Sequence, residues 1–127
     1  MNFAVIGLGS FGVKRAQSIK NSKLAKLSAI FDTNKDSSEK AQKILEVPIL
    51  SYEQILKDHS IDVVCICTPN KFHKNIIIES LKSGKNVFCE KPISRNLEEA
   101  QEILEAVKNS KRILQVGSNH RFFESVR

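Results

Sequence analysis

Short, nearly continuous apolar runs alternate with segments of helical periodicity along the chain. The runs cover residues 2–6, 27–31, 49–50, 62–67, 86–89 and 113–116. Uninterrupted apolar strands are expected where a sheet is covered on both faces. Strand alternating with helix implies parallel strands joined by right-handed crossovers. The expected architecture is therefore α/β: a Rossmann-type doubly wound parallel sheet of about six strands, ordered 3-2-1-4-5-6, with helices on both faces. The third run is the shortest, at two residues.

The intervening segments carry helix signals. Residues 10–20 place Val13, Ala16 and Ile19 on one side. Asp36-Ser-Ser-Glu39 and Ser51-Tyr-Glu-Gln54 have capping-box spacing before apolar positions, and Asn96-Leu-Glu-Glu99 opens a third such segment. His73, Ile76, Ile77, Ser80 and Leu81 share one helical face, and Gly84 is placed to end that helix.

Length and composition narrow the function. A chain of 127 residues is one domain, able to bury a core without disulfides. The net charge of +6 comes from scattered lysines and arginines with few aromatics among them, so nucleic acid is not an expected partner. No apolar run approaches the roughly 18 residues of a membrane span. No basic segment leads into a secretory stretch, and the expected compartment is the cytoplasm. Cys65 and Cys67 lie two apart in a strand-like run and, with Cys89, read as buried thiols. His59, His73 and His120 have no zinc-ligand spacing with them, so no metal is expected.

The first strand runs directly into Gly7-Leu-Gly9-Ser-Phe-Gly12. The pattern gains meaning from following a strand and opening a helix. Gly7 permits a tight turn, Gly9 lets the backbone approach a pyrophosphate, and Gly12 allows close helix packing. Ser10 and Phe11 complete the turn and are cofactor-binding candidates with the glycines. The helix N-terminus presents N–H groups and a positive dipole end to an anion. Asp32 ends the second run, 20 residues after Gly12, where a carboxylate can accept both ribose hydroxyls of an adenosine. Its charge would repel a 2′-phosphate, which favours NAD; Lys35 nearby leaves NADP possible.

Ligands of such sheets bind beyond the carboxyl ends of the strands. The loop after the fourth run reads Thr68-Pro69-Asn70-Lys71-Phe72-His73, with Asn70 able to cap the next helix. His73 fits either a cofactor loop or a local helix-start role. The loop after the fifth run is Glu90-Lys91-Pro92. Such a pair is usually solvated and worth little. At this edge of a sheet, a lysine can reach a reacting hydroxyl and stabilise developing negative oxygen.

Together these pieces resemble the N-terminal half of the glucose–fructose oxidoreductase/inositol dehydrogenase (Gfo/Idh/MocA) family. The matching stretches are IGLGSFG, Asp32, DVVCICTPNKFH, SGKNVFCEKPIS, NLEEAQEIL and VGSNHRFF, in family order. The resemblance implies a dinucleotide domain over residues 1–118, with 119–127 beginning a connection to a substrate domain. It implies that Lys91 orients the substrate hydroxyl beside the nicotinamide, that Glu90 and Pro92 belong to that motif, and that Thr68, Pro69, Asn70 and His73 lie along the cofactor. Asn119, Arg121 and Phe122 match the connecting segment. The implied reaction is hydride transfer between NAD(P) and a secondary alcohol or ketone of a sugar or polyol, with homo-oligomers expected only with the second domain. Neither His59 nor His120 matches the family's catalytic histidine, so this chain alone is expected not to turn over. The competing reading is a free-standing dinucleotide-binding regulatory module.

Overall fold

A computed structural model describes residues 1–118; Asn119, His120, Arg121 and Phe122 of the expected connection lie outside them. The elements in chain order are β1 (Asn2–Ile6), α1 (Ser10–Lys20), β2 (Lys26–Phe31), α2 (Lys35–Leu45), α3 (Tyr52–Lys57), β3 (Val63–Ile66), α4 (His73–Lys82), β4 (Asn86–Glu90), α5 (Leu97–Ser110) and β5 (Leu114–Gly117). A single 3₁₀ turn, Asn70–Phe72, leads into α4. The strands form one parallel sheet in the order β2-β1-β3-β4-β5.

Residues 49–50 form no strand. They touch β2 through one bridge, Ile30 to Ile49, held by Ile30 N–H to Pro48 O and Leu50 N–H to Ile30 O. The position is that of the expected third strand. Its neighbours prevent extension: Pro48 has no N–H to donate, and Ser51 already caps α3. The sheet therefore has five strands and a bridge where about six strands were expected.

The strands alternate between two cores, as a period of two requires. Ala4, Ile6, Val64, Ile66, Val87 and Cys89 face one side, with Ile77 and Leu81 of α4 and Ile103 of α5. Val5, Cys65 and Ile30 face the other, with Ala16 of α1 and Ala41 and Leu45 of α2. Strand β2 keeps both faces filled despite an irregularity: Phe3 pairs with Leu27 while the next residue, Ala4, pairs with Ala29. The extra residue, Ser28, is a bulge that shifts the phase of the strand. Leu27 and Ile30 thus reach one core and Ala29 the other.

The caps follow local chemistry. Ser51 and Gln54 make the reciprocal capping box of α3. The cap of α2 is Asn34, two residues before the expected Asp36; its side chain accepts from Ser37 N–H, and the helix begins at Lys35. Asn96 caps α5, and Glu99 turns back to accept from Arg95 N–H at 2.9 Å. At the end of α4, Gly84 has φ +78°, and Lys85 N–H and Gly84 N–H return to the carbonyls of Ser80 and Leu81. That paired pattern closes the helix with the left-handed residue a glycine adopts freely.

Candidate cofactor-binding and active site

The carboxyl edge of the sheet carries a cleft of about 730 Å³ whose wall includes Gly7, Gly9, Asp32, Thr68 and Pro69. The three glycines there do different things. Gly7 has φ +91°, and a Cβ on it would sit 2.7 Å from the backbone of Cys67 and Thr68. The turn is therefore pressed against the end of β3. Gly12 lies beneath it: an added Cβ would fall 1.9 Å from the Gly7 carbonyl oxygen. Gly9 is the opposite case, with no atom within 4 Å of the position of a Cβ. Its bare backbone faces open space at the N-terminus of α1, where it is the N-cap residue and supplies no side chain to the helix. Ser10 and Phe11 follow it as exposed residues of the first turn.

Asp32 is fixed to this turn. Its Oδ2 accepts from Leu8 N–H at 2.6 Å and its Oδ1 from Asn34 N–H at 2.8 Å. A carboxylate offers about four lone-pair positions, so two remain for a ligand's hydroxyls. The geometry fits a dinucleotide at three points: open space over Gly9, spare acceptor capacity on Asp32, and the buried Thr68 hydroxyl, which has no hydrogen-bond partner among the described residues.

The loops after β3 and β4 are tied by His73. Its ring is buried, with Nδ1 2.9 Å from the Pro92 carbonyl oxygen and Nε2 2.8 Å from the Thr68 carbonyl oxygen. The ring stands between the loops rather than in the cleft wall. Lys91 follows β4 as an exposed residue, joined to Pro92 by a cis peptide bond. Glu90 is the last residue of β4, and its partner is not the adjacent lysine. Arg15 of α1 reaches it, Nε to Oε1 at 2.5 Å, while the guanidinium lies 5.2 Å from the centre of the Phe88 ring. Asn70, half-buried, opens the 3₁₀ turn.

Cys65 and Cys67 point the same way, their sulfurs 3.8 Å apart, and all three cysteines are free thiols. Cys67 joins the cleft wall. The hydrogen bond with Cys67, and then burial, raises the Cys65 thiol. Burial pushes Cys89 up to about 12, with Cys67 and Glu90 contributing.

Part of the wall comes from residues that the sequence motifs do not mark as ligand-binding: Phe31, Thr33, Tyr52, Phe72, Asn75, Ile76 and Glu79. Tyr52 donates to Glu79 Oε2 at 2.6 Å, across 27 residues of chain. Burial, and then the Glu79 carboxylate, raises the Tyr52 hydroxyl. The apolar periodicity of α4 signals its core face; the cleft-facing Asn75 and Glu79 lie off that face.

Residues 1–118 match the NAD-binding Rossmann-fold domain of the Gfo/Idh/MocA oxidoreductase family. This chain belongs to that family. It is 37% identical over 122 residues to the scyllo-inositol 2-dehydrogenase (NAD(+)) of Bacillus subtilis, covering 94% of this chain and 36% of the relative. It is 34% identical over 124 residues to the myo-inositol 2-dehydrogenase of Thermotoga maritima, covering 96% and 37% respectively. The structure of myo-inositol 2-dehydrogenase from Lactobacillus plantarum superposes with a TM-score of 0.89 at 30% identity, over 98% of this chain and 38% of that one. The chain thus spans little more than a third of the length of these Gfo/Idh/MocA relatives. Its Gfo/Idh/MocA domain is an NAD-binding domain of an oxidoreductase family. Among the described residues, no helix is long and apolar enough to cross a membrane, and no group of three or more His, Cys, Asp or Glu side chains could hold a metal ion.

Proposed function

We propose that this domain is the cofactor half of an oxidoreductase that interconverts a secondary alcohol and a ketone on a sugar or polyol, with NAD preferred over NADP. The observation that carries the reading is the alignment of one cleft with three strand ends: the Gly7–Gly9 turn after β1, Asp32 after β2 and Thr68 after β3. The pyrophosphate would lie over Gly9 and the first turn of α1, the adenosine ribose on the spare acceptors of Asp32. A bound nicotinamide dinucleotide would supply the hydride acceptor. Lys91, at the next strand end, would then stabilise negative charge on the reacting oxygen. His73 would keep the Lys91–Pro92 turn at a set distance from the Thr68 loop, since it touches a carbonyl in each.

Lys91 would act as the hydrogen-bond donor to the reacting oxygen, leaving the role of base to another residue. Hydride transfer also requires the alcohol carbon to be positioned against the nicotinamide, and most of the barrier lowering by positioning depends on contacts around the substrate. The proposed division is therefore cofactor binding here and substrate closure elsewhere in a longer protein. The test has two parts. Calorimetric titration of the 127-residue chain should show saturable NAD binding, and NADH formation with polyols, sugars and nucleotide sugars should stay at background. Saturable turnover abolished in Lys91→Ala would show the single domain to be a complete enzyme. A protein spanning the full length of its relatives that binds NAD but oxidises nothing on the panel would favour a regulatory module.

A further inference from the structure

The cleft is longer than a pyrophosphate and a ribose need. Beyond Gly9 and Asp32, its wall is built from Phe31 and Thr33 at the end of β2, Tyr52 at the start of α3, and Pro69, Phe72 and Ile76 of the loop after β3 and α4. These residues form a largely apolar slot, suited to a flat base. The Phe31 and Tyr52 rings lie with centroids 6.2 Å apart and planes inclined by 38°, which sets the floor of one side.

Two carboxylates line this cleft, Asp32 and Glu79. Asp32 is committed to the turn and the ribose. Glu79 is held by the Tyr52 hydroxyl through Oε2, and its Oε1 accepts no hydrogen bond among the described residues. A carboxylate of this kind accepts hydrogen bonds and donates none. Adenine presents an exocyclic amino group, a donor. Hypoxanthine has the same ring size and shape but presents a carbonyl oxygen there, which a carboxylate repels.

We infer that Glu79, braced by Tyr52, reads the amino group of the base and makes the domain selective for adenine dinucleotides over their hypoxanthine counterparts. The inference rests on the cofactor reading above and assigns its base specificity to two residues outside the glycine turn. Tyr52 is the positioning member of the pair: its hydroxyl occupies one carboxylate oxygen of this cleft-lining residue, and the other oxygen is the one proposed to meet the base. Glu79 is exposed at the mouth of the cleft, so water competes for it and the discrimination is moderate.

The experiment is calorimetric titration of the chain with nicotinamide adenine dinucleotide and with nicotinamide hypoxanthine dinucleotide. The parent should prefer the adenine form by about tenfold, the scale of one solvent-exposed polar discrimination. In Glu79→Gln the side-chain amide can donate to the carbonyl as well as accept from the amine, so the two affinities should converge to within about twofold. Tyr52→Phe should narrow the ratio part of the way, because the carboxylate loses its brace. Glu79 is exposed, and an unchanged far-ultraviolet spectrum and urea midpoint in Glu79→Gln would confirm that the fold is intact. Equal affinities in the parent, or a preference that survives undiminished in Glu79→Gln, would overturn the inference while leaving the cofactor site in place. Failure of the parent to bind either dinucleotide would overturn the cofactor reading itself, and this one with it.

Discussion

Arg15 of α1 and Glu90 of β4 form an ion pair at 2.5 Å that joins the helix of the glycine turn to the strand leading into Lys91. The two side chains are 27% and 14% exposed, intermediate between a solvated pair and a buried one. Glu90→Gln removes the charge with little change of shape and should cost about 1–3 kcal/mol, above the surface range and below that of a fully buried pair. Urea unfolding of the single variants and of Arg15→Leu/Glu90→Gln would check this; the double variant should lose less than the sum. Strict additivity would show that the pair has no coupling energy.

Gly9 and Gly12 should respond oppositely to substitution. Space around Gly9 accommodates a side chain, so Gly9→Val should keep the fold, at a cost of about 1 kcal/mol or less from an N-cap position that valine fills poorly. The same side chain would occupy the place of the pyrophosphate, and NAD binding should vanish. Gly12→Ala drives a methyl onto the Gly7 carbonyl and should lower the thermal midpoint sharply. NAD affinity unaltered in Gly9→Val would refute the assignment of the turn.

Asp32→Ala should narrow or reverse the preference for NAD over NADP. The carboxylate repels a 2′-phosphate, and each hydroxyl bond to a charged acceptor is worth about 1.5–3 kcal/mol. The variant also strands the N–H groups of Leu8 and Asn34, so a small loss of stability should accompany the change. The measurement is the ratio of the two dissociation constants. A parent that binds NADP more tightly than NAD would contradict the role given to Asp32.

Cys67 should be the first thiol to react with iodoacetamide, since Cys65 and Cys89 are 1% and 0% exposed while Cys67 lines the cleft. Saturating NAD should slow its alkylation and leave the other two unchanged. Peptide mass spectrometry resolves the order; a Cys67 rate indifferent to NAD would argue against a ligand in this cleft.

Alkaline solution should weaken the fold through the buried thiols. Cys89 is raised from 9.0 to about 12 by burial, so the folded chain keeps a proton that the unfolded chain releases. The contribution is whole below pH 9 and is lost as pH rises toward 12, at about 1.4 kcal/mol per pH unit for one group within that window. Cys65 shifts in the same direction. The urea midpoint should fall between about pH 8 and about pH 10.5, and Cys89→Ala should make that fall shallower. A midpoint independent of pH in this range would contradict the burial effect.

Several features were legible from residue order because they are local. The alternation of runs, the glycine turn, Asp32 at a strand end, the Ser51 cap and the Gly84 stop each depend on residues a few positions apart, and backbone sterics and caps act over that range. The parallel sheet followed, because alternating strands and helices leave few other ways to bury both faces. Tertiary structure alone decided what meets across crossovers. Residues 49–50 meet β2 only at Ile30–Ile49, a contact between separate segments, whereas the shortness of the run is local, set by the missing N–H of Pro48 and the Ser51 cap. Glu90 found Arg15, 75 residues away, rather than its neighbour Lys91. His73 turned inward to two carbonyls, and Tyr52 met Glu79 in the cleft. Such pairings depend on register, on the bulge at Ser28 and on how each helix lies over the sheet, and no local pattern of residues encodes them.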